Sequence, residues 1–424
     1  MNQSRFGHRV ALFALFMFGL LPYVSTIKWP PVASFWAEWS AAVLAAGVAI
    51  LVAPCQQAFA KPVAVPLTAL ACITGALLIT VQFATHQPHF RGAALLAIGA
   101  LVLAAVLCTS ATRLLHNKSY SAELDAWAMG FIFAMLLNCA EVLAERNGWQ
   151  IYLYRFVARE GNGRALGLFG QSNQVAVFST MAWCGAQYLW MRGKLANLNL
   201  LGVAVAAGCI GAGAGSRAGA ILFFAATALA WCALRVHGRR RIGQMLLLAA
   251  LGIFPLMHAW WALTDTSGGL AESVLRSETS LRVELLRDGF ALARLHPLAG
   301  VGFGNFSAAR WAELSTPMGE PLAAHTHNVI VQLSAELGVV GALAILLLAG
   351  YGVLKGLYRA VFHKVAPEQF FVVGILLVIS GYSLTEYPLW YTFFLFPFAF
   401  AAGLVEQPMI VLRPMQIENI MTGG

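Results

Sequence analysis

Charge is what this sequence has least of. Asp, Glu, Lys and Arg make up 11% of its 424 residues, where a soluble domain carries about 25%. Aspartate is scarcest: Asp125, Asp265 and Asp288 are the only three, with no Asp-x-Asp pair. The usual carboxylate seat for Mg²⁺ or Mn²⁺ is therefore missing, and neither a metal nor another cofactor is expected. Cys55, Cys72, Cys108, Cys139, Cys184, Cys209 and Cys232 share no metal-ligand spacing. They read as small buried hydrophobes rather than disulfide partners or zinc ligands. No internal repeat stands out, whereas transporters usually show repeated halves.

What is present is apolar. Hydrophobic residues make up 59% of the chain and the mean hydropathy is +0.73. Runs near twenty apolar residues recur from end to end, which predicts an all-α polytopic membrane protein, with residues 1–424 forming one integral membrane domain. The spans are expected at 8–27, 33–53, 63–84, 91–112, 121–143, 172–191, 196–214, 217–235, 242–262, 327–354, 367–384 and 388–406. The first span has no small-residue cleavage site leading into a soluble domain, so it reads as a retained helix. Placing Arg5, Arg9, Arg113, Lys118, Arg192, Lys194 and the Arg239–Arg241 run inside leaves Lys28, Arg91 and Arg217 in the short outer turns. The positive-inside rule then puts both termini in the cytoplasm. The net charge of +9 is mainly this bias, which implies membrane lipids as neighbours and no nucleic acid.

Two outer segments exceed mere connections. Residues 144–171 carry Arg146, Arg155, Arg159 and Arg164, against the charge rule. Residues 263–326 form a long loop between the ninth and tenth spans, with Arg276, Arg282, Arg287, Arg294 and Arg310 among seven acidic residues. Leu281, Leu285, Leu292 and Leu295 recur there at helical spacing and His296-Pro297 ends the run, predicting a helix at the membrane–water interface. Arginines on this face suit an anionic ligand, because guanidinium forks match phosphate oxygens. For Arg146, Arg155, Arg276, Arg294 and Arg310, pairing with local acids or lipid headgroups is the better reading. Arg217 differs: in "GAGAGSRAGA" a glycine-rich turn precedes a helix that Ser216 can cap, so backbone N–H groups and one arginine form an anion cradle. Close helix approach is the competing account of those small residues.

The stretch "AHTHNVIVQLSAELG" opens a span with polar chemistry. Thr326 is the expected N-cap, which puts His327 and Asn328 in the first turn. Asn328, Gln332 and Glu336 then share a face that must point into the bundle. A histidine near a helix start is held neutral by the dipole and can accept a proton, as a general base must. His327 suits that role, while His325 reads as a structural hydrogen-bonding residue. Glu386, in "LTEYPLWYTFFLFP", could orient His327, pair with an arginine, or be solvated; Tyr387, Trp390 and Tyr391 form an interfacial belt.

These stretches together resemble the superfamily of O-antigen ligases, protein O-oligosaccharyltransferases and O-antigen polymerases. "HTHNVIVQLSAELG" is similar to its His-Asn helix start and "GSRAG" to its Ser-Arg turn. "GRALGLFGQSNQVA" resembles a Gly/Asn-rich segment before a span, and "SLRVELLRDGFALARLHPLAGVGFGNF" an Arg…His-Pro-Leu-x-Gly-x-Gly segment. "EYPLWY" resembles a closing motif seen especially in the protein-glycosylating branch. The matches cover 164–397; Leu286 and Ser172 replace a common tryptophan and proline. The resemblance implies a GT-C-like glycosyltransferase in a bacterial inner membrane, using a glycan donor on undecaprenyl diphosphate at the periplasmic face. It implies His327 as catalytic base, Arg217 and Arg282 on the diphosphate, with Arg164 and Arg287 in second rank, and Gln171, Asn173, Asn328, His325 and Glu386 as supporting polar groups. In-line displacement would invert the anomeric carbon without a metal. Protein-glycosylating relatives usually extend well past the last span, and this chain stops soon after it. The expected reaction is therefore O-antigen ligation onto a sugar hydroxyl of lipid A–core. Protein O-glycosylation, polymerisation and a lipid-linked glycan transporter follow as alternatives.

Overall fold

The computed structural model describes residues 2–26, 34–52, 63–85, 91–115, 120–148, 164–234, 240–264, 270–314, 323–363, 366–406 and 410–412, with only the backbone described at 2–5, 63–64, 240, 270–280 and 410–412. Arg155, Arg159, Cys55 and Asp265 lie outside these residues, as does the side chain of Arg276.

Each expected span is a helix: α1 (Asn2–Leu20), α2 (Phe35–Val52), α3 (Leu67–Thr85), α4 (Arg91–Leu114), α5 (Ser121–Arg146), α6 (Ser172–Met191), α7 (Asn197–Ala214), α8 (Arg217–Leu234) and α9 (Arg240–Thr264). After α10 (Leu270–Leu295) and α11 (Phe306–Glu313), which occupy the long loop, come α12 (Val329–Phe362), α13 (Pro367–Tyr382) and α14 (Thr392–Val405). The chain is a multi-pass helical membrane protein. Two spans begin later than the hydropathy suggests. Residues Val63–Val65 (β1) pair antiparallel with Ile410–Leu412 (β2), so α3 starts at Leu67. Pro388–Trp390 form a 3-10 turn, so α14 starts at Thr392.

α6 is the hub, buried along nearly its whole length against α5, α7, α8 and α13. Small residues permit this crowding: a Cβ on Gly219 would sit 2.7 Å from Ala176 Cβ, the close helix approach that lipid-embedded bundles favour. Towards one end of α6, aromatic rings form a rigid layer. Tyr23 stacks on Phe178 at 4.2 Å and its hydroxyl donates to Phe393 O at 2.6 Å, while Phe169 leans on Phe178 and Phe393.

α12 has 34 residues, about 51 Å at 1.5 Å per residue, against a hydrocarbon core of about 30 Å. It breaks at Gly338, whose φ is 77°, and the segment 297–304 fills the gap. Val339 N donates to Pro297 O at 2.8 Å, Val301 N to Ala335 O at 2.9 Å and Gly302 N to Glu336 O at 3.0 Å. Gln82 adds Nε2 bonds to Ala299 O and Glu336 O at 2.7 and 2.8 Å. The break thus exchanges intrahelical bonds for loop bonds at Ala335, Glu336 and Val339, as buried backbone requires. Glycine is required at the contact, since a Cβ on Gly300 would lie 2.3 Å from Glu336 backbone atoms and one on Gly338 2.3 Å from Leu298 O.

α10 and α11 build a small second core on α12 from Leu285, Leu292, Phe306, Ala309 and Ala335. Leu295, expected on the same face, is 58% exposed at the helix end. Arg310 is buried, its Nε 2.5 Å from Asp288 and its Nη2 2.6 Å from Glu284. Arg146 lies against Trp260 and Trp261, 4.4 Å from each ring centroid. Both arginines therefore have local structural partners. The described cysteines are buried, apart from a half-buried Cys232.

Candidate active site

The polar end of the bundle is organised by Glu386, in the turn between α13 and α14. It is 3% exposed, and its two oxygens face different partners. Oε2 lies 2.7 Å from His327 Nδ1. Oε1 accepts from Arg282 Nη2 at 2.5 Å and from Asn173 Nδ2 at 3.0 Å. Arg164 extends the chain, donating from Nη2 to Asn173 Oδ1 and from Nε to Ala214 O, both at 2.8 Å. The sequence left three roles open for Glu386; here one carboxylate both orients the histidine and pairs with an arginine.

The start of α12 needs a correction. Asn328, not Thr326, is the N-cap: its Oδ1 accepts from Ile330 N at 3.0 Å and Val331 N at 3.1 Å. The Thr326 hydroxyl is committed instead to Asn328 O at 3.0 Å. His327 therefore precedes the helix rather than joining its first turn. Its φ of 56° makes it the one non-glycine residue with positive φ among the described residues, a conformation costing roughly 1–3 kcal/mol that the surroundings must hold. They do so through Thr326 N to Gln332 Oε1 at 2.7 Å, Asn328 Nδ2 to Leu384 O at 3.0 Å and Val329 N to Ser383 O at 2.9 Å. Gln332 and Glu336 point inward, 1% and 0% exposed. A ring nitrogen facing a carboxylate must donate, so Nδ1 carries the proton and Nε2 keeps its lone pair. The carboxylate, more than the helix dipole, fixes this imidazole.

His325 stacks on Tyr387 at 4.1 Å and meets Trp390 edge-on at 5.5 Å, while Tyr387 stands edge-on to His327 at 5.2 Å. Burial, reinforced by the neighbouring His327 and opposed by Glu386, pushes the His325 pKa down to about 4. Gln171 lies beside Glu386, Tyr387 and Tyr391 in a narrow crevice.

The arginines divide. Arg282 and Arg164 join the Glu386 cluster. Arg217 is the exposed first residue of α8 and makes no ion pair among the described residues. Ser216 caps that helix, its Oγ accepting from Gly219 N at 3.2 Å. The turn ahead of it is fastened to the cluster by Ala165 N to Gly213 O at 2.8 Å and by the Arg164 bond to Ala214 O. Arg217 is thus set at the same end of the bundle, with its side chain exposed. Arg287 is exposed, and five residues beyond Arg282 it points about 140° away around α10, so the fold does not gather it. Among the described residues, no three His, Cys, Asp or Glu side chains come together as metal ligands. Gln82, which supports the site by holding α12, escaped the sequence reading; the 297–304 segment was read there as part of a motif, but its role as a plug in α12 was not.

Residues 202–346 match the O-antigen ligase family model, and residues 370–421 match a model described as virulence factor membrane-bound polymerase, C-terminal. The first match contains Arg217, Arg282 and His327, and the second contains Glu386; Arg164, Gln171 and Asn173 fall outside both. No curated protein matches the chain significantly. Across these two segments of its second half the chain is similar to the O-antigen ligase and polymerase superfamily, and the match indicates activity of that type.

Proposed function

We propose that this protein transfers a glycan from undecaprenyl diphosphate to a sugar hydroxyl of lipid A–core at the periplasmic face of a bacterial inner membrane, with both termini cytoplasmic. The observation that carries the reading is the bridge made by Glu386 between an imidazole and a guanidinium. His327 Nε2 takes the proton of the acceptor hydroxyl, whose oxygen attacks the anomeric carbon while the bond from that carbon to the diphosphate oxygen breaks. Glu386 stabilises the imidazolium as it forms, the role a carboxylate plays behind a catalytic histidine. The departing diphosphate gathers negative charge, which Arg217 and Arg282 meet, with Arg164 behind them. Attack from the face opposite the diphosphate inverts the anomeric centre. Guanidinium groups do the work of a divalent cation, so chelators leave the rate unchanged.

The match of 370–421 to a polymerase model favours a second reading, transfer to another lipid-linked glycan. Purified protein is mixed with a lipid-linked glycan and, separately, with lipid A–core, a pilin-like protein or a second lipid-linked glycan. Product on lipid A–core alone supports ligation; product on either other acceptor instead replaces it.

A further inference from the structure

Beside the polar end lies a cavity of about 330 Å³ between α3, α4, α12 and α14. Its walls are mostly apolar, with Glu38, Thr68 and Thr392 as the polar lining, and small residues on two helices, Gly75 on α3 with Ala97 and Ala100 on α4, leave the space. Along α12 its lining runs from Val329 to Ala349, on both sides of the break at Gly338, so it has the depth of a lipid chain rather than of a headgroup. Phe303 and Trp390 are part of its lining, their rings stacked at 6.4 Å and 6°. From there His325 meets Trp390 and stacks on Tyr387, and Tyr387 touches His327. The groove therefore reaches the catalytic end from the imidazole side.

The arginines approach from the other oxygen of the same carboxylate: Oε1 takes Arg282 and Asn173, whereas Oε2 takes His327. A polyprenyl chain is bonded directly to its diphosphate, so it must leave the site with the guanidinium groups. A lipid entering on the imidazole side belongs to the molecule that presents a hydroxyl to His327, and its acyl chains are separated from that hydroxyl by sugars.

We propose that this groove binds a saturated acyl chain of the lipid acceptor, which makes the acceptor's lipid part, and not only its sugar, a determinant of recognition. The inference rests on the ligase reading above.

The test fills the groove and measures each substrate separately. Ala97→Phe places a ring in the cavity, and Ala100→Leu is a milder obstruction for use should the first variant melt earlier than the wild type. KM is measured for the lipid-linked donor, for the acylated acceptor and for the same acceptor after removal of its acyl chains. The expected result is a KM for the acylated acceptor raised about tenfold or more, the scale on which methylene-sized misfits in an apolar pocket act. The donor and the de-acylated acceptor keep their wild-type KM values. A rise in donor KM instead would assign the groove to the polyprenyl chain, and unchanged KM values throughout would make it a place for bulk lipid; either overturns the proposal. Failure of the ligase reading is distinct, because the wild-type protein would then transfer nothing to lipid A–core.

Discussion

Replacing Glu386 by glutamine keeps the side chain's shape and removes its charge. The carboxylate is almost fully enclosed and bonds His327, Arg282 and Asn173 at once, so water cannot substitute for it. Two losses follow. With charge centres about 4 Å apart and an effective dielectric near 20, an imidazolium–carboxylate pair is worth about 4 kcal/mol; with His327 25% exposed, roughly 3 kcal/mol of that is realised in the transition state, about a hundredfold in rate. The amide can also offer an N–H to Nδ1, which moves the ring proton to Nε2 and blocks the base; the equivalent swap in serine proteases costs about 10⁴. A kcat between about 10² and 10⁴ below wild type is therefore expected in single-turnover transfer from a lipid-linked glycan to lipid A–core. Arg282 loses its partner too, so the variant should melt earlier, by the equivalent of about 1–2 kcal/mol. A folded Glu386→Gln protein working within threefold of wild type would refute the assignment of His327 as a base oriented by this carboxylate.

Other variants separate binding from folding. Arg217→Ala removes an exposed side chain without an ion partner among the described residues, so stability should change by less than about 0.5 kcal/mol while donor KM rises clearly; an unchanged KM would remove Arg217 from the diphosphate site. Arg282→Ala should impair transfer far more than Arg287→Ala, because the first reaches Glu386 and the second points away; equal losses in parallel assays would contradict that geometry. Gly289→Val forces α10 off α12, since even a Cβ there would lie 2.6 Å from both Thr326 Cγ2 and Val331 Cγ1, and should lower both the melting temperature and activity. Gly300→Ala meets a positive φ and a 2.3 Å contact with Glu336, for a loss above about 1 kcal/mol in a melting assay. His325 is held neutral in the fold, with a pKa near 4 against an ordinary 6.5. Between those values the unfolded chain binds the extra proton, so stability should fall as pH drops from 6.5 towards 4. His325→Phe should flatten that dependence in melts recorded across this range.

The helices, their order and the membrane class were legible because hydropathy is a local property: each span carries its own signal, and lipid permits few alternatives to a helix. The polar face of α12 was legible for the same reason, through the spacing of Asn328, Gln332 and Glu336. Where local signals competed the reading slipped: Thr326 and Asn328 are both good caps, and the choice fell to Asn328 once Ser383 and Leu384 offered it and its neighbour backbone partners. Which polar residues meet was beyond any local signal. Glu386 lies 59 residues from His327, 104 from Arg282 and 213 from Asn173. The contacts exist because the starts of α6 and α12, the middle of α10 and the α13–α14 turn meet at one level of the bundle, brought there by small residues that let helices crowd and by a glycine loop wedged into a broken helix. Sequence alone determined what could cross the membrane and which side chains were chemically capable. Tertiary structure decided which of them share a carboxylate, because burial and hydrogen bonding at that point depend on where four separate elements meet.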